Sequence, residues 1–235
     1  MTNRSSARRR AAALLLLAGL VFFVLSLFPI GRLIQWPFVI LTTFIHELGH
    51  GLTAMLVGGK FIQMELYSDA AGLAQMRLPS GGWRSALVAT GGLLAPALFG
   101  GALIVAGRST TSSSRLFLIL SIVILVSCVL WIRSIFGLTV MGLMGLGFLW
   151  LARQRRPGLH QFLIQFIGVH MLVDTVTRTL SYLFSPGASV NGVIRHSDTS
   201  AIAQAIGGSH LLWGTIIAIL ALSIFWFSLR RVYLR

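Results

Sequence analysis

Residues 42–50 read Thr-Thr-Phe-Ile-His-Glu-Leu-Gly-His, and this stretch decides how the rest of the chain is interpreted. It lies within an almost wholly apolar run, 34–57, that is long enough to cross a membrane as a helix. Residues four apart lie on one face of a helix, so His46 and His50 can present both imidazoles to one metal ion. Glu47 is offset by one residue and can instead act on the attacking water as a general base.

Ionisable residues at membrane depth need a partner or a function, because a charged group at the bilayer centre costs roughly 2.5–3.5 kcal/mol. This run offers no solvated face on which His and Glu would occur by chance. The remaining alternative to a metal site is a buried His–Glu–His cluster satisfied by neighbouring helices. We favour the metal, since two neutral imidazoles suit Zn²⁺, which takes three protein ligands in catalytic sites. The third ligand must then come from elsewhere in the chain.

The composition predicts a multi-pass membrane protein. Of 235 residues, 56% are hydrophobic and 10% are charged, against about a quarter charged in soluble domains. The formal net charge is +14, from 19 basic and 5 acidic residues. The arginines are spread between apolar runs and form no patch with interleaved aromatics, so we expect contact with bilayer headgroups and no nucleic-acid partner. The single cysteine, Cys128, excludes an intramolecular disulfide.

The pattern of apolar runs predicts an all-α polytopic fold of about six or seven transmembrane helices in a single domain, 1–235. We place the basic N-terminus, 1–10, in the cytoplasm and the protein in the plasma (inner) membrane. The predicted spans are residues 11–30, 34–57, 85–105, 116–131, 134–152, 159–184 and 211–229.

The span count conflicts with the distribution of charge. Seven alternating spans leave Arg153, Arg155, Arg156 and the basic C-terminus outside, against the positive-inside tendency. Six spans would satisfy that tendency, but residues 116–152 are too many for one helix and carry Arg133 at their centre. We favour seven.

Two segments break the helical pattern. Apolar and polar residues alternate within 58–80, on both sides of a turn at 68–72, which predicts a short β-hairpin after the helix that carries the metal motif. We expect this hairpin to lie near the site and to offer an edge to an unwound substrate segment. Residues 185–200 are predicted to be a linker, with a short helical run to 206 after it.

Several motifs together resemble a known family. They are His46-Glu47-Leu48-Gly49-His50, Gly58-Gly59-Lys60 before the hairpin, the stretch Gly-Gly-Leu-Leu-Ala-Pro-Ala-Leu-Phe-Gly at 91–100, and Ser197-Asp198 ahead of Leu212-Trp213-Gly214. The chain resembles the site-2 protease group of intramembrane zinc metallopeptidases, in particular its compact M50B-like branch. The resemblance implies one Zn²⁺ per chain and hydrolysis of peptide bonds in transmembrane segments of other membrane proteins. The Asn-x-x-Pro-x-x-x-Leu-Asp-Gly string, which supplies the third ligand in better-known members, does not occur in this sequence.

For the third ligand we favour Asp174, which lies in the middle of an apolar run where a carboxylate needs a cation. An ion pair with Arg178, four residues on, is the alternative role for Asp174. Asp198 is a second candidate, although it stands ahead of a short helical run and can serve as an N-cap. His170 lies on the same helix face as Asp174, but the family resemblance favours a carboxylate.

Two other functions remain open. A non-catalytic membrane scaffold or metal-binding protein could retain the protease fold, which the missing Asn-x-x-Pro string would explain. A transporter with His and Asp as a relay is a third possibility, but no inverted repeat supports it. The sequence carries no signal for an oligomeric state.

Overall fold

The chain forms a bundle of long helices with two short hairpins, and the computed structural model describes residues 2–154, 156–184, 187–190 and 193–233. The elements in chain order are α1 (Thr2–Ser26), α2 (Pro29–Ile34), α3 (Trp36–Leu56), β1 (Lys60–Leu66), β2 (Gly72–Arg77), α4 (Gly82–Ala106), α5 (Thr110–Leu130), α6 (Ile135–Arg153), α7 (Pro157–Phe184), β3 (Gly187–Val190), β4 (Val193–His196), α8 (Asp198–Ile206) and α9 (His210–Tyr233).

Six helices in the described part of the chain are long and apolar enough to cross a membrane: α3, α4, α5, α6, α7 and α9. In α1 the apolar stretch is shorter, Ala12–Ser26. The predicted all-α polytopic fold is therefore confirmed, and the protein is a multi-pass membrane protein. Each predicted apolar run corresponds to a long helix, and among the described residues six of these helices meet the length and composition of a span.

Helices α1, α3 and α7 run in the same direction. Residues further along α1 or α3 contact residues further along α7. Leu15 shares a cavity wall with Gln161, Phe22 and Phe38 both pack on the ring of Phe166, and Thr43 accepts a hydrogen bond from Arg178. The short helix α2 returns the chain from the end of α1 to the level at which α3 begins. Helices α1 and α3 are therefore parallel, whereas consecutive membrane spans normally run in opposite directions.

This parallel arrangement resolves the conflict between span count and charge. The starts of α1, α5 and α7 lie at one end of the bundle with the ends of α4 and α9, as shown by the hydrogen bond from Gln161 Nε2 to Arg108 O at 2.7 Å and by a cavity that Arg108, Gln161 and Arg231 share. Helix α6 ends there too, just before α7 begins. We call this the basic end; its described arginines include Arg108, Arg115, Arg153, Arg156, Arg230 and Arg231.

Helix α3 occupies the centre of the bundle. Every residue from Val39 to Gly51 is buried, so the polar groups of this stretch must find partners inside the protein. Glycines let α4 approach closely: an added Cβ on Gly49 would collide with Ala95 and with the backbone of Gly91. Small residues at such positions are typical of tightly packed membrane helices.

The predicted hairpin is present, with β1 and β2 antiparallel and a register irregularity between Phe61 and Gln63. The link between α5 and α6 covers the outer edge of β1, since Met64 N donates to Trp131 O at 2.8 Å and Arg133 N donates to Met64 O at 3.0 Å. In the described part of the chain no further strand pairs with β2. The outer edge of β2 is thus the edge that remains open.

Where a linker was expected at 185–200, most of the described residues are in regular structure. β3 and β4 pair antiparallel, and α8 begins at Asp198. Residues 185, 186, 191 and 192 lie outside the described part. Helix α8 packs against the start of α4, where Ala86, Ala89 and Ile202 share a buried cluster.

Candidate metal centre

Two histidines on α3 and one aspartate on α8 converge on a single point. His46 Nε2 lies 3.0 Å from Asp198 Oδ2, His50 Nε2 lies 3.3 Å from the same oxygen, and the two imidazole nitrogens are 3.1 Å apart. The two histidines are 6% and 7% exposed. In the described part of the chain, no other group of three His, Cys, Asp or Glu residues has its ligand atoms within 4.8 Å of one another.

Asp198 reaches the histidines because its own helix does not need it as a cap. Ser197 is the N-cap of α8, and its Oγ accepts a hydrogen bond from Ser200 N at 3.3 Å. The carboxylate of the next residue is then available to other helices. Burial alone would raise the pKa of Asp198, but the charge of His50 and hydrogen bonds from both imidazoles lower it well below its ordinary value. A positive charge at this point, carried either by a protonated imidazole or by a metal ion that replaces its proton, keeps this carboxylate ionised.

The surroundings of His50 fix which of its nitrogens faces the site. His50 Nδ1 lies 2.9 Å from Val88 O, and a carbonyl only accepts, so Nδ1 carries the proton of the neutral ring and Nε2 presents a lone pair. A backbone carbonyl is a common outer partner of metal-binding histidines. Gly92 leaves the space that the ring fills, because a Cβ at this position would overlap the imidazole.

The three atoms fit zinc. Bonds of about 2.0–2.1 Å in a tetrahedral site place the ligand atoms about 3.3 Å apart, close to the 3.0, 3.1 and 3.3 Å between these atoms. Two imidazole nitrogens and one carboxylate oxygen are also a donor set of catalytic zinc sites. Without a metal, His50 can donate to Asp198 only as an imidazolium, because the Nδ1 proton of the neutral ring already faces Val88 O.

Glu47 lines the same cavity of about 580 Å³ as the three converging residues. It is 7% exposed. A Cβ on Gly72 of β2 would lie 2.7 Å from Glu47 Oε1, closer than real Cβ contacts, so this glycine leaves room for the carboxylate beside the hairpin. The cavity thus combines three residues that could bind a metal with a separate buried carboxylate.

The structure does not bring Asp174, the favoured candidate for the third ligand, to the two histidines. Asp174 Oδ2 instead accepts a hydrogen bond from Arg178 Nη2 at 3.1 Å, one helical turn away, and Asp198 takes the place expected for Asp174. His170 is not part of the triad either. Its ring packs edge-on against Phe22, with centroids 4.8 Å apart.

The sequence did not reveal a polar chain beside the site. Arg178 Nη2 donates to Thr43 Oγ1 at 3.1 Å, and Thr43 Oγ1 donates to Ala70 O at 2.9 Å. Helix α7 is thereby connected through α3 to the tip of the hairpin. The only signals in the sequence were an arginine in an apolar run and a threonine near the motif, and neither identifies its partner.

Comparison with known families gives a match over most of the chain. A family model described as Peptidase M50B-like matches residues 11–228. A comparison with the curated proteins found no match, and neither did a comparison with the solved structures. The matched range includes α3 and α8, which carry the converging residues. The chain therefore belongs to the Peptidase M50B-like family.

Proposed function

We propose that this membrane peptidase is a zinc-dependent intramembrane endopeptidase that cleaves transmembrane segments of other membrane proteins. The observation that carries the proposal is the convergence of His46, His50 and Asp198 on one point beside Glu47, within the apolar bundle. His46, His50 and Asp198 would hold one Zn²⁺ per chain.

The residues of the site divide the chemical work. Zinc held by His46, His50 and Asp198 would polarise the scissile carbonyl as a Lewis acid and lower the pKa of the attacking water. Glu47 takes a proton from that water and returns it to the leaving amine, a role that typically contributes ~10²–10⁴-fold. His50 is held by Val88 O in the tautomer that keeps Nε2 available. The small residue at Gly72 lets the hairpin approach the carboxylate of Glu47.

The open edge of β2 supports a way to present the substrate. A helical segment hides its carbonyls in backbone hydrogen bonds, so a transmembrane substrate must unwind before cleavage. Gly72, Leu73 and Ala74 of β2 line the cavity together with Glu47. An unwound segment that adds to β2 as a third strand would satisfy its own backbone and lie beside the catalytic groups.

The charge distribution supports an orientation in the plasma (inner) membrane. The basic end would face the cytoplasm, because the cytoplasmic loops of membrane proteins are generally enriched in arginine and lysine. The N-terminus then lies in the cytoplasm, as do the links before α5 and α7. His50 lies beside Val88, near the start of α4 and thus toward the opposite end. The catalytic cavity would accordingly open in the half of the bilayer away from the cytoplasm.

Metal analysis and cleavage of a panel of transmembrane peptides test the function. The purified protein is expected to hold about one Zn²⁺, and Glu47→Gln is expected to keep it while cleavage falls ~10²–10⁴-fold. Glu65→Gln is the matched control, since this hairpin carboxylate bonds to Gln63 and Tyr67 and does not line the cavity. Absence of zinc would overturn the proposal. Zinc without cleavage by the wild type would favour the non-catalytic scaffold.

A further inference from the structure

A second cavity, of about 740 Å³, lies at the basic end of the bundle. Four parts of the chain form its walls: α1, the link between α4 and α5, the start of α7 and the end of α9. It shares no residue with the catalytic cavity. Its lining includes the basic, apolar and aromatic side chains of Leu14, Leu15, Arg108, Phe162, Arg231 and Tyr233.

The polar floor of this cavity is fixed by hydrogen bonds within the protein. Tyr233 OH donates to Gln165 Oε1 at 2.6 Å, and Gln165 Nε2 donates to Ile104 O at 3.3 Å. Gln161 Nε2 holds the backbone of Arg108 at 2.7 Å. These bonds join α4, α7 and α9, so the cavity has a defined shape that does not depend on a ligand.

The charge of the cavity has no counterpart in the side chains of the protein. Arg108 and Arg231 both line it and both are exposed. The chain has only 5 acidic residues. Glu47 and Asp198 lie at the metal centre, Asp174 pairs with Arg178, and Glu65 and Asp69 belong to the first hairpin. Among the described residues no acidic side chain lines this cavity, so the two arginines can accept an anionic group from outside the chain.

The remaining walls are apolar. Leu14, Leu15 and Phe162 line the same space as the two arginines; Leu14 is 60% and Phe162 48% exposed, whereas Leu15 is 3% exposed. A soluble anion would use the arginines and leave this apolar surface uncovered. A lipid covers both, because its phosphate lies at the level of the helix ends and its acyl chains run along the helices. Tyr233 adds an amphipathic ring of the kind found at membrane interfaces.

We propose that this cavity is a specific binding site for one anionic phospholipid, with Arg108 and Arg231 on its phosphate and headgroup and with its acyl chains against Leu14, Leu15 and Phe162. The lipid fills the gap between α1 and the pair α7 and α9. The site is independent of the proposed peptidase function. It differs from general attraction of lipid to the basic end, because Arg115 and Arg230 are exposed at that end but do not line the cavity.

The test compares two lipids and two pairs of arginines. Native mass spectrometry counts the phosphatidylglycerol and phosphatidylcholine molecules retained by the purified full-length protein as each lipid is titrated. The wild type is expected to retain one phosphatidylglycerol in preference to phosphatidylcholine. Each basic residue near a membrane surface contributes about fivefold, so Arg108→Gln/Arg231→Gln is expected to weaken this binding roughly 25-fold. Arg115→Gln/Arg230→Gln removes the same charge from the same end and is expected to keep it.

Three results would overturn the proposal: equal retention of the two lipids by the wild type, equal weakening by the two double variants, or displacement of the lipid by inorganic phosphate at a similar concentration. If Arg108→Gln/Arg231→Gln does not fold, the single variants decide, since each is expected to weaken binding about fivefold. Arg108→Lys/Arg231→Lys keeps the charge and is expected to retain the preference for phosphatidylglycerol. Zinc content reports separately on the metal centre.

Discussion

The middle of α7 and the start of α8 each carry one aspartate inside the bundle, and the two regions hold that charge in different ways. In α7, Asp174 has an arginine one turn away and pairs with it at 3.1 Å. In α8, the carboxylate of Asp198 instead faces two imidazoles from another helix at 3.0 and 3.3 Å. In α7 an arginine supplies the positive charge, whereas at Asp198 the partners are two imidazoles that can donate hydrogen bonds or share a metal ion.

The difference shows how a carboxylate becomes available as a ligand. Asp174 is satisfied within its own helix, so little remains for a partner elsewhere. Asp198 is the first residue of α8, where the helix dipole favours a negative charge. Ser197 already occupies the capping position that Asp198 would otherwise fill. The aspartate that its own helix leaves unused is the one that reaches the two histidines.

The largest effect is expected from exchanging the two aspartates for asparagine. Asp198→Asn removes a ligand, so bound zinc should fall from about one per chain to little, and cleavage should be lost with it. The weakening should exceed the roughly 10–100-fold that loss of an outer partner costs. Asp174→Asn should keep zinc near the wild-type level. Metal analysis of both purified variants gives the comparison directly, and loss of zinc from Asp174→Asn alone would move the third ligand back to α7.

A second test alters the space around His50 without changing any of the proposed metal ligands. A methyl group at Gly92 overlaps the imidazole, so Gly92→Ala should turn the ring and weaken zinc binding by roughly 10–100-fold. Gly142→Ala is the matched control, because no atom lies within 4 Å of a Cβ placed there on α6. Zinc titration against a competing chelator measures both. Equal affinities for the two variants would show that His50 does not depend on this packing.

Breaking the Asp174–Arg178 ion pair in α7 should lower the free energy of unfolding more than it lowers zinc binding or cleavage. Asp174→Asn leaves the guanidinium of Arg178 without its carboxylate, and the side chains are 14% and 22% exposed. For a pair between the buried and surface limits we expect a loss of about 1–3 kcal/mol in the free energy of unfolding. Unfolding in detergent measures it. Arg178→Gln and the double variant complete a cycle, and strictly additive losses would mean that the two residues do not interact.

Much of the fold could be predicted from apolar runs, because membrane length limits how such runs can fold. The hairpin was also predictable, since alternation over β1 and β2 is a local signal. The parallel course of α1 and α3 was not, because it depends on the short return through α2. Hydropathy does not encode the direction of such a break.

The candidate site also has a part that the sequence predicts and a part that it does not. His46, Glu47 and His50 belong to one helical turn, so their spacing alone predicts their neighbourhood. Asp198 arrives from α8, which packs on the start of α4 through Ile202, Ala86 and Ala89. That contact joins segments more than a hundred residues apart, and nothing near Asp198 in the sequence reports its depth. Position within an apolar run therefore favoured Asp174, which tertiary packing leaves at a distance.

The smallest effect is expected from a variant that removes the N-cap of α8, Ser197, and leaves the proposed ligand, Asp198, in place. Ser197→Ala removes the oxygen that accepts from Ser200 N, and loss of a cap costs about 1 kcal/mol. Because Asp198 is the next residue, fraying at this point should weaken zinc binding about fivefold while the ligand itself remains. Ser109→Ala is the control, since Ser109 caps α5 in the same manner but at the basic end; it should cost similar stability and leave zinc affinity unchanged. Ser197→Asn should restore the cap and the affinity. If Ser197→Ala lowers thermal stability but binds zinc like the wild type, Asp198 is positioned by the packing of α8 on α4 and not by its cap, and the account of why this aspartate reaches the histidines must rest on that packing alone.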